Sequence, residues 1–164
     1  MYEIDGTDCI IVDLLMDDGR MSAAEIARRL GGDLSERAIR YRINRLQEEG
    51  VIQVLAVVNP KAIGYTIVAD VWLHVESDAI LEVAHKMVEH ECVSYVACAI
   101  GETDVSVQVL GHSTDEIYRF ITEVIGKTPG VIKTTTSIVP LVLKDIYQWR
   151  VPSSNDFRSE AEKV

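Results

Sequence analysis

The sequence predicts an α+β fold in two parts, because two kinds of apolar spacing follow one another along the chain. Residues 4–50 show helical spacing in three short segments, each bounded by glycine or by helix-capping residues. Residues 66–143 alternate between β-rich runs and helical runs, and a polar, glycine-containing stretch separates the two parts. The predicted domains are residues 1–58 and residues 59–147, followed by a flexible C-terminal tail over residues 148–164.

The first two helices are short and well delimited. An apolar series from Cys9 to Met16 predicts the first helix, and Gly19 suits its C-terminal cap. The run Ser22-Ala23-Ala24-Glu25 then predicts a capping box, in which the Ser oxygen accepts an early N–H and Glu reaches back to the start of the helix. Gly31-Gly32 ends the second helix.

The third helix, from about Ser35 to Glu49, has two distinct faces. Ile39, Ile43 and Leu46 recur at i, i+4 and i+7, which predicts a stripe that belongs to a core. Polar side chains gather on the opposite face, while Arg42 lies nearer the buried side. The members of this polar face are Arg37, Arg40, Tyr41 and Asn44, with Arg45 at its edge.

A strand is predicted after the third helix, since residues 51–58 are rich in β-branched side chains. Three short helices, a glycine-containing turn and a strand together predict a winged helix-turn-helix. Its third helix fits the major groove of double-stranded DNA, where arginines reach guanine edges and phosphates. Solvation or salt bridging of an arginine-rich face is the alternative. The predicted DNA-binding residues are Ser35, Arg37, Arg40, Tyr41, Asn44 and Arg45.

The charge of the chain is uneven. Its net charge of −10 argues against a nucleic-acid partner, because phosphates attract cations. Residues 28–45, however, hold six arginines against only Asp33 and Glu36, a net charge of +4. Distribution matters more than the sum, and this basic island coincides with the predicted DNA-binding helix.

The second part has the element order β-α-β-β-α-β, which predicts a ferredoxin-like βαββαβ sandwich domain. Ser113-Thr114-Asp115-Glu116 predicts a second capping box at the start of its second helix, and the last strand is expected over residues 131–143. Both helices cover one face of the sheet, so the other face needs a partner subunit. We therefore expect a homodimer.

Several classes of function find no support in the sequence. No apolar run approaches the roughly 20 residues of a membrane helix, and the acidic N-terminus does not resemble a signal peptide, so we expect a cytoplasmic protein. His74, His85, His90 and Cys92 match no compact zinc pattern, and the three cysteines are expected to be reduced. No nucleotide-binding loop or catalytic triad is present, so we expect no metal, no cofactor and no enzyme activity.

Over residues 4–146 the chain resembles the Lrp/AsnC (feast/famine) family of bacterial and archaeal transcription regulators. The residues that carry the resemblance are Ile4-Asp5, Asp8, Asp18-Gly19-Arg20-Met21-Ser22, Glu25-Ile26-Ala27, Arg40 to Leu46, Glu48-Glu49-Gly50-Val51-Ile52, Asn59-Pro60, Gly64, Gly101-x-x-Asp104 and Pro129-Gly130-Val131. The resemblance implies promoter binding by the third helix and dimers, often assembled into tetramers or octamers. It also implies a small effector, usually an amino acid, bound between the second domains.

The resemblance places Gly101 and Asp104 at the effector cleft, with Thr134 and Thr136 as weaker candidates. An amino acid needs an acceptor for its ammonium group and donors for its carboxylate, which these residue types can supply. The segment from Gly101 to Asp104 is equally consistent with a plain hairpin turn. The Gly31-Gly32 turn is longer than is usual in the family, which leaves open which arginine meets a base.

The sequence leaves two alternative functions open. A sensor or assembly protein whose helix-turn-helix no longer binds DNA would suit the acidic net charge. Enzymes of this shape also decarboxylate sirohaem-type tetrapyrroles, which requires His or Arg around the macrocycle. Residues 93–110 carry Tyr95 but neither His nor Arg, which disfavours that chemistry.

Overall fold

The structure, a computed structural model, describes residues 2–152 and divides into two compact units. The first unit combines the chain up to Val57 with the residues that follow Leu143, and the second spans Val58–Leu143. Residues 144–147, assigned to the second domain in the sequence analysis, therefore associate with the first unit. Residues 153–164 of the predicted tail lie outside the described residues.

The first unit contains three helices around a small apolar core. They are α1 (Gly6–Asp17), α2 (Ala23–Arg29) and α3 (Glu36–Glu48). Asp5 caps α1, where the Asp5 carboxylate accepts from the Asp8 N–H and the Asp8 carboxylate accepts from the Asp5 N–H. The buried apolar core is formed by Ile11, Val12, Ile26, Ala27, Ile39 and Leu46.

The predicted capping boxes at Ser22 and Ser113 are formed only in part. Each Ser oxygen accepts from the N–H three residues on, at 3.1 and 3.2 Å. The Glu25 carboxylate, however, accepts from Arg28 and Arg29, and the Glu116 carboxylate accepts from the backbone N–H of His112. Guanidinium donors compete well for Glu25 because charge-assisted hydrogen bonds are stronger than those from a neutral amide.

Residues 51–58, predicted as a strand, form no strand in this chain. Val54, Leu55, Val57 and Val58 are all exposed. β-branched residues favour an extended backbone, but a strand also needs a hydrogen-bonding neighbour, and none of the described strands pairs with this segment. The prediction was therefore wrong for the single chain.

The end of the described chain is tied to the first unit. The Arg150 guanidinium donates to the backbone oxygen of Asp13 at 3.3 Å and forms ion pairs with Asp13 and Asp17 of α1. Val151 packs against the apolar core of the same unit. The start of the predicted flexible tail is thus anchored by contacts that span more than 130 residues of sequence.

The second unit is a four-stranded antiparallel sheet with strand order β2-β3-β1-β4. In chain order its strands and α-helices are β1 (Ile67–Val75), α4 (Ile80–Val88), β2 (Val93–Cys98), β3 (Val105–Gly111), α5 (Thr114–Arg119) and β4 (Val131–Ile138). This confirms the predicted ferredoxin-like arrangement. Strand β4 ends before the predicted Leu143, in keeping with Pro140, which has no N–H for the ladder.

Alternation along the strands separates a buried face from an open one. Ala69, Val71, Leu73 and Val75 of β1 are buried with alternate valines of β3, beneath α4 and α5. The open face carries the intervening residues, which are only partly buried or exposed in the described chain. Its members include Asp70, Trp72, Tyr95, Gln108 and Thr135.

Candidate DNA-binding face and effector site

The six residues predicted to bind DNA are all exposed, while Ile39 and Leu46 on the other side of α3 are fully buried. Helix α3 therefore presents its polar face outward, as its periodicity predicts. Ser35 caps the helix, and its hydroxyl oxygen accepts from the Ala38 N–H at 3.2 Å. The exposed members of the face are Ser35, Arg37, Arg40, Tyr41, Asn44 and Arg45.

The arginines of α3 differ in their partners. Arg40 forms an exposed ion pair with Glu36 one turn earlier. Among residues 2–152, no carboxylate lies within 4.0 Å of the Arg37 or Arg45 guanidinium. These two guanidinium groups therefore form no ion pair with an acid of the described residues.

Arg42 has a structural position between α3 and the start of α1. Its Nη1 atom lies 2.8 Å from Asp5 Oδ2 and 2.7 Å from Asp8 Oδ1. Asp8 is buried, with 1% of its surface exposed. The backbone N–H of Asp8 and the Arg42 guanidinium lower the pKa of the Asp5 carboxyl, and the two carboxylates raise the pKa of Arg42.

Tyr2 joins this network and was not singled out by the sequence. Its hydroxyl donates to Asp8 Oδ2 at 2.8 Å, and this hydrogen bond raises the pKa of the Tyr2 phenol. The Arg45 guanidinium lies over the Tyr2 ring, 4.8 Å from its centroid. The Asp5 and Asp8 spacing signals a helix cap, but no local pattern indicates that Tyr2 reaches α3.

Asp104 is held by β1. Its Oδ2 atom accepts from the Val75 N–H at 2.8 Å, and its own N–H donates to the Leu73 oxygen at 2.9 Å. The pairing of β1 with β4 shifts register between His74 and Val75, so Asp104 satisfies an N–H at the irregularity. Gly101, with φ of +151°, adopts a backbone conformation that favours glycine in the same turn.

The two threonines lie on the far side of β1 from this turn. Thr134 pairs with Leu73 and Thr136 with Val71, while Leu73 also pairs with Val105 on β3. Two strand spacings therefore separate Thr134 from Val105, a distance of about 10 Å between backbones. A single chain does not gather these four predicted residues into one compact set of ligands.

Comparison with known proteins identifies the family. A winged helix-turn-helix DNA-binding model matches residues 4–53, and a model of the Lrp/AsnC ligand binding domain matches residues 68–148. An uncharacterized HTH-type transcriptional regulator of Pyrococcus horikoshii is 37% identical over 143 residues, which cover 87% of this chain and 89% of the relative. The chain belongs to the Lrp/AsnC family.

Two further proteins are similar to this Lrp/AsnC protein. The HTH-type transcriptional regulator FL11 of Pyrococcus furiosus is 36% identical, over 87% of this chain and 93% of the relative. A feast or famine regulatory protein of M. tuberculosis, complexed with L-methionine, has a TM-score of 0.77 and 28% identity. That comparison covers 91% of this chain and all of the other.

The Lrp/AsnC protein is therefore a DNA-binding transcription regulator with a winged helix-turn-helix and a ferredoxin-like regulatory domain. Residues 2–152 contain no helix whose length and apolar content would let it cross a bilayer. Within that part of the chain, no three His, Cys, Asp or Glu side chains group as metal ligands would.

Proposed function

We propose that this regulator, acting in the cytoplasm by binding rather than by catalysis, contacts double-stranded DNA through the exposed face of α3. The observation that supports this most strongly is the pair of exposed guanidinium groups, Arg37 and Arg45, which form no ion pair with a described carboxylate. Tyr41 and Asn44 lie on the same exposed face and can contact base edges or sugars.

The ion pairs predict which arginines of α3 bind DNA at the lowest cost. Arg40 must share Glu36 or leave it before it binds a phosphate, but an exposed pair contributes only about 0–1 kcal/mol, so Arg40 stays available at a small cost. Arg37 and Arg45 have no ion pair to give up before they bind a phosphate. We expect Arg37→Ala and Arg45→Ala to weaken DNA binding more than Arg40→Ala does.

Fluorescence anisotropy with duplexes from the protein's own upstream DNA tests this proposal. Each lost phosphate contact should weaken binding and reduce the slope of log Kobs against log salt by about 0.9. Arg119→Ala is the matched control, because Arg119 forms an exposed ion pair with Asp115 in the regulatory domain. A wild-type protein without salt-dependent binding would favour the alternative of a sensor whose helix-turn-helix has lost DNA binding.

We further propose an amino-acid effector at the turn from Gly101 to Asp104, with Thr134 and Thr136 as the weaker candidates for contact with it. The relative complexed with L-methionine supports this class of ligand. Asp104 Oδ2 is occupied by the Val75 N–H, whereas Oδ1 makes no hydrogen bond to the described residues. That oxygen can accept from an ammonium group.

Asp104→Asn separates the effector role from the structural one. The amide oxygen can still accept from the Val75 N–H, but the negative charge that attracts an ammonium group is lost. We expect a normal melting temperature and at least about tenfold weaker amino-acid binding, since hydrogen bonds to charged groups contribute about 1.5–3 kcal/mol. Calorimetric titration with L-methionine and a panel of other amino acids measures this. If the variant binds the amino acid with wild-type affinity, Asp104 does not contact the effector.

Self-association completes the proposal, with a second copy of the chain covering the open face of the sheet. Three polar side chains on this face are already paired with one another, because Ser94 Oγ donates to Gln108 Oε1 at 3.0 Å and Gln108 Nε2 donates to Asp70 Oδ1 at 3.1 Å. Paired polar groups can be buried at lower cost than free ones. Trp72 on the same face supplies apolar area for the contact.

A further inference from the structure

The N-terminal segment and the C-terminal half of α3 form one connected cluster, in which Arg42 contacts Asp8, Asp8 contacts Tyr2, and Tyr2 contacts Arg45. We propose that Tyr2 is a positioning residue for DNA recognition, and that its ring holds the Arg45 guanidinium in the orientation in which Arg45 meets DNA. This inference rests on the proposed DNA-binding role of α3.

The Tyr2 ring is anchored through its hydroxyl group. Its hydroxyl is hydrogen-bonded to Asp8, which is buried and also accepts from Arg42 at 2.7 Å and from the Asp5 N–H at 3.3 Å. Tyr2, Asp5, Asp8 and Arg42 thus share one hydrogen-bond network, which ties the Tyr2 ring to the place where α1 and α3 meet.

Arg42 and Arg45 use this network in different ways. They lie three residues apart on α3, which places them on neighbouring positions of the helix surface. Arg42 contacts the carboxylates and is neutralised by them, whereas Arg45 contacts the aromatic face. A ring attracts a cation without cancelling its charge and without using the in-plane N–H donors. Arg45 is therefore held in place while its donors stay available to a phosphate or a base.

The acidic neighbours limit where DNA can approach. Glu3 and Glu49 line the same groove as Tyr2 and Arg45, and neither forms an ion pair with Arg45 in the described chain. Carboxylates repel phosphates, so the groove itself is a poor place for the DNA backbone. The Tyr2 ring contacts the Arg45 guanidinium in place of a carboxylate, so the positive charge of Arg45 remains usable.

A double-mutant cycle on the full chain tests the proposal. The probe is a duplex selected by the wild-type protein from a random-sequence library, with a scrambled duplex for comparison. Tyr2→Gln removes the ring but keeps an N–H donor for Asp8, and Tyr2→Phe keeps the ring but removes the hydroxyl. We expect Tyr2→Gln to weaken binding to the selected duplex by about threefold, a typical effect for an exposed cation–π contact, and Tyr2→Phe to retain most of the affinity.

The cycle distinguishes action through Arg45 from a general effect on stability. In an Arg45→Ala background, Tyr2→Gln should cause no further loss, whereas in an Arg37→Ala background it should cause the same loss as in the wild type. An equal loss in both backgrounds would overturn the proposal, as would wild-type affinity in Tyr2→Gln. Should Tyr2→Gln fail to fold by circular dichroism, Tyr2→Leu takes its place in the same cycle.

The outcome for the wild-type protein separates this inference from the function on which it depends. A wild-type protein that selects no duplex overturns the proposed DNA contact and this inference together. A wild-type protein that selects a duplex, combined with Tyr2 variants that bind it normally, overturns the positioning role alone.

Discussion

Single residues of the same type have different roles on α3. Arg42 is tied to a buried carboxylate, Arg40 to an exposed one, and Arg45 to an aromatic ring. These partners determine whether a guanidinium stabilises the fold or remains available to a ligand. The partners of Arg42 and Arg45 lie more than 30 residues away in sequence, so the helix pattern alone does not distinguish them.

Arg42→Ala should destabilise the first unit. The change leaves the buried Asp8 carboxylate without its cation, and loss of one partner of a buried pair costs about 3 kcal/mol. Arg40→Ala is the control and should change the free energy of unfolding by no more than about 0.5 kcal/mol, because its pair is exposed. Urea unfolding followed by circular dichroism measures both. Equal effects of the two changes would contradict the structural role of Arg42.

Acid should weaken the same junction. The pKa of Asp5 is lowered in the folded protein by the Asp8 N–H and by Arg42, from an ordinary value of 3.8. A lowered pKa means that the Asp5 carboxylate stabilises the fold above the ordinary value and that this contribution is lost as the pH falls through the folded value. Asp5→Asn, which can still cap α1, should show a smaller loss of melting temperature between about pH 5 and pH 3. Identical pH profiles for variant and wild type would contradict this expectation.

At the scale of the element, the end of α3 depends on a left-handed glycine. Gly50 has φ of +68°, and beyond it the N–H groups of Val51 and Ile52 both donate to the Leu46 oxygen. This turn satisfies a carbonyl at the end of the helix and directs the chain into residues 51–58. Glycine at this position is thus a local requirement that the sequence could reveal.

Gly50→Ala should lower the free energy of unfolding by about 1 kcal/mol, since a Cβ is disfavoured at positive φ even where there is space. Gly6→Ala is the matched control in the same unit. Gly6 lies in the first turn of α1 with negative φ and open space around its Cα, so alanine should be neutral or slightly stabilising there. Chemical denaturation measures the free energy of unfolding of both variants. An unchanged value for Gly50→Ala would contradict this prediction.

At the scale of the whole molecule, the sheet of the regulatory domain presents one face that its own helices do not cover. Trp72 lies on that face, opposite Ser106 of β3 and Thr135 of β4. In the proposed dimer a second copy buries this side chain, and central tryptophans often dominate such contacts.

Trp72→Glu should raise the dimer dissociation constant by about thirtyfold or more, because it places an unpaired charge where a buried aromatic ring is expected. Leu81→Glu is the control, since Leu81 is 68% exposed on α4, on the opposite side of the sheet. Sedimentation equilibrium measures the association of both variants. A Trp72→Glu protein that remains a dimer would show that another surface mediates assembly.

The sequence alone determined the two-part architecture, the three helices of the first unit, the β-α-β-β-α-β order of the second and the exposed polar face of α3. These features follow from periodicity, caps and glycines, which act over a few residues. It did not determine the state of residues 51–58, because a strand exists only where a partner strand supplies hydrogen bonds. Nor did composition reveal that Arg150 is tied to Asp13 and Asp17 of α1.

Only the tertiary structure decided which polar and charged side chains already have a partner within the protein. It joins Tyr2 and Asp8 to the arginines of α3, and it places the Asp104 carboxylate on the Val75 N–H. The physical reason is distance along the chain. Local patterns determine the direction in which a side chain points, but the groups that meet it arrive from elements 29 to 43 residues away, and their arrival depends on how the whole unit packs.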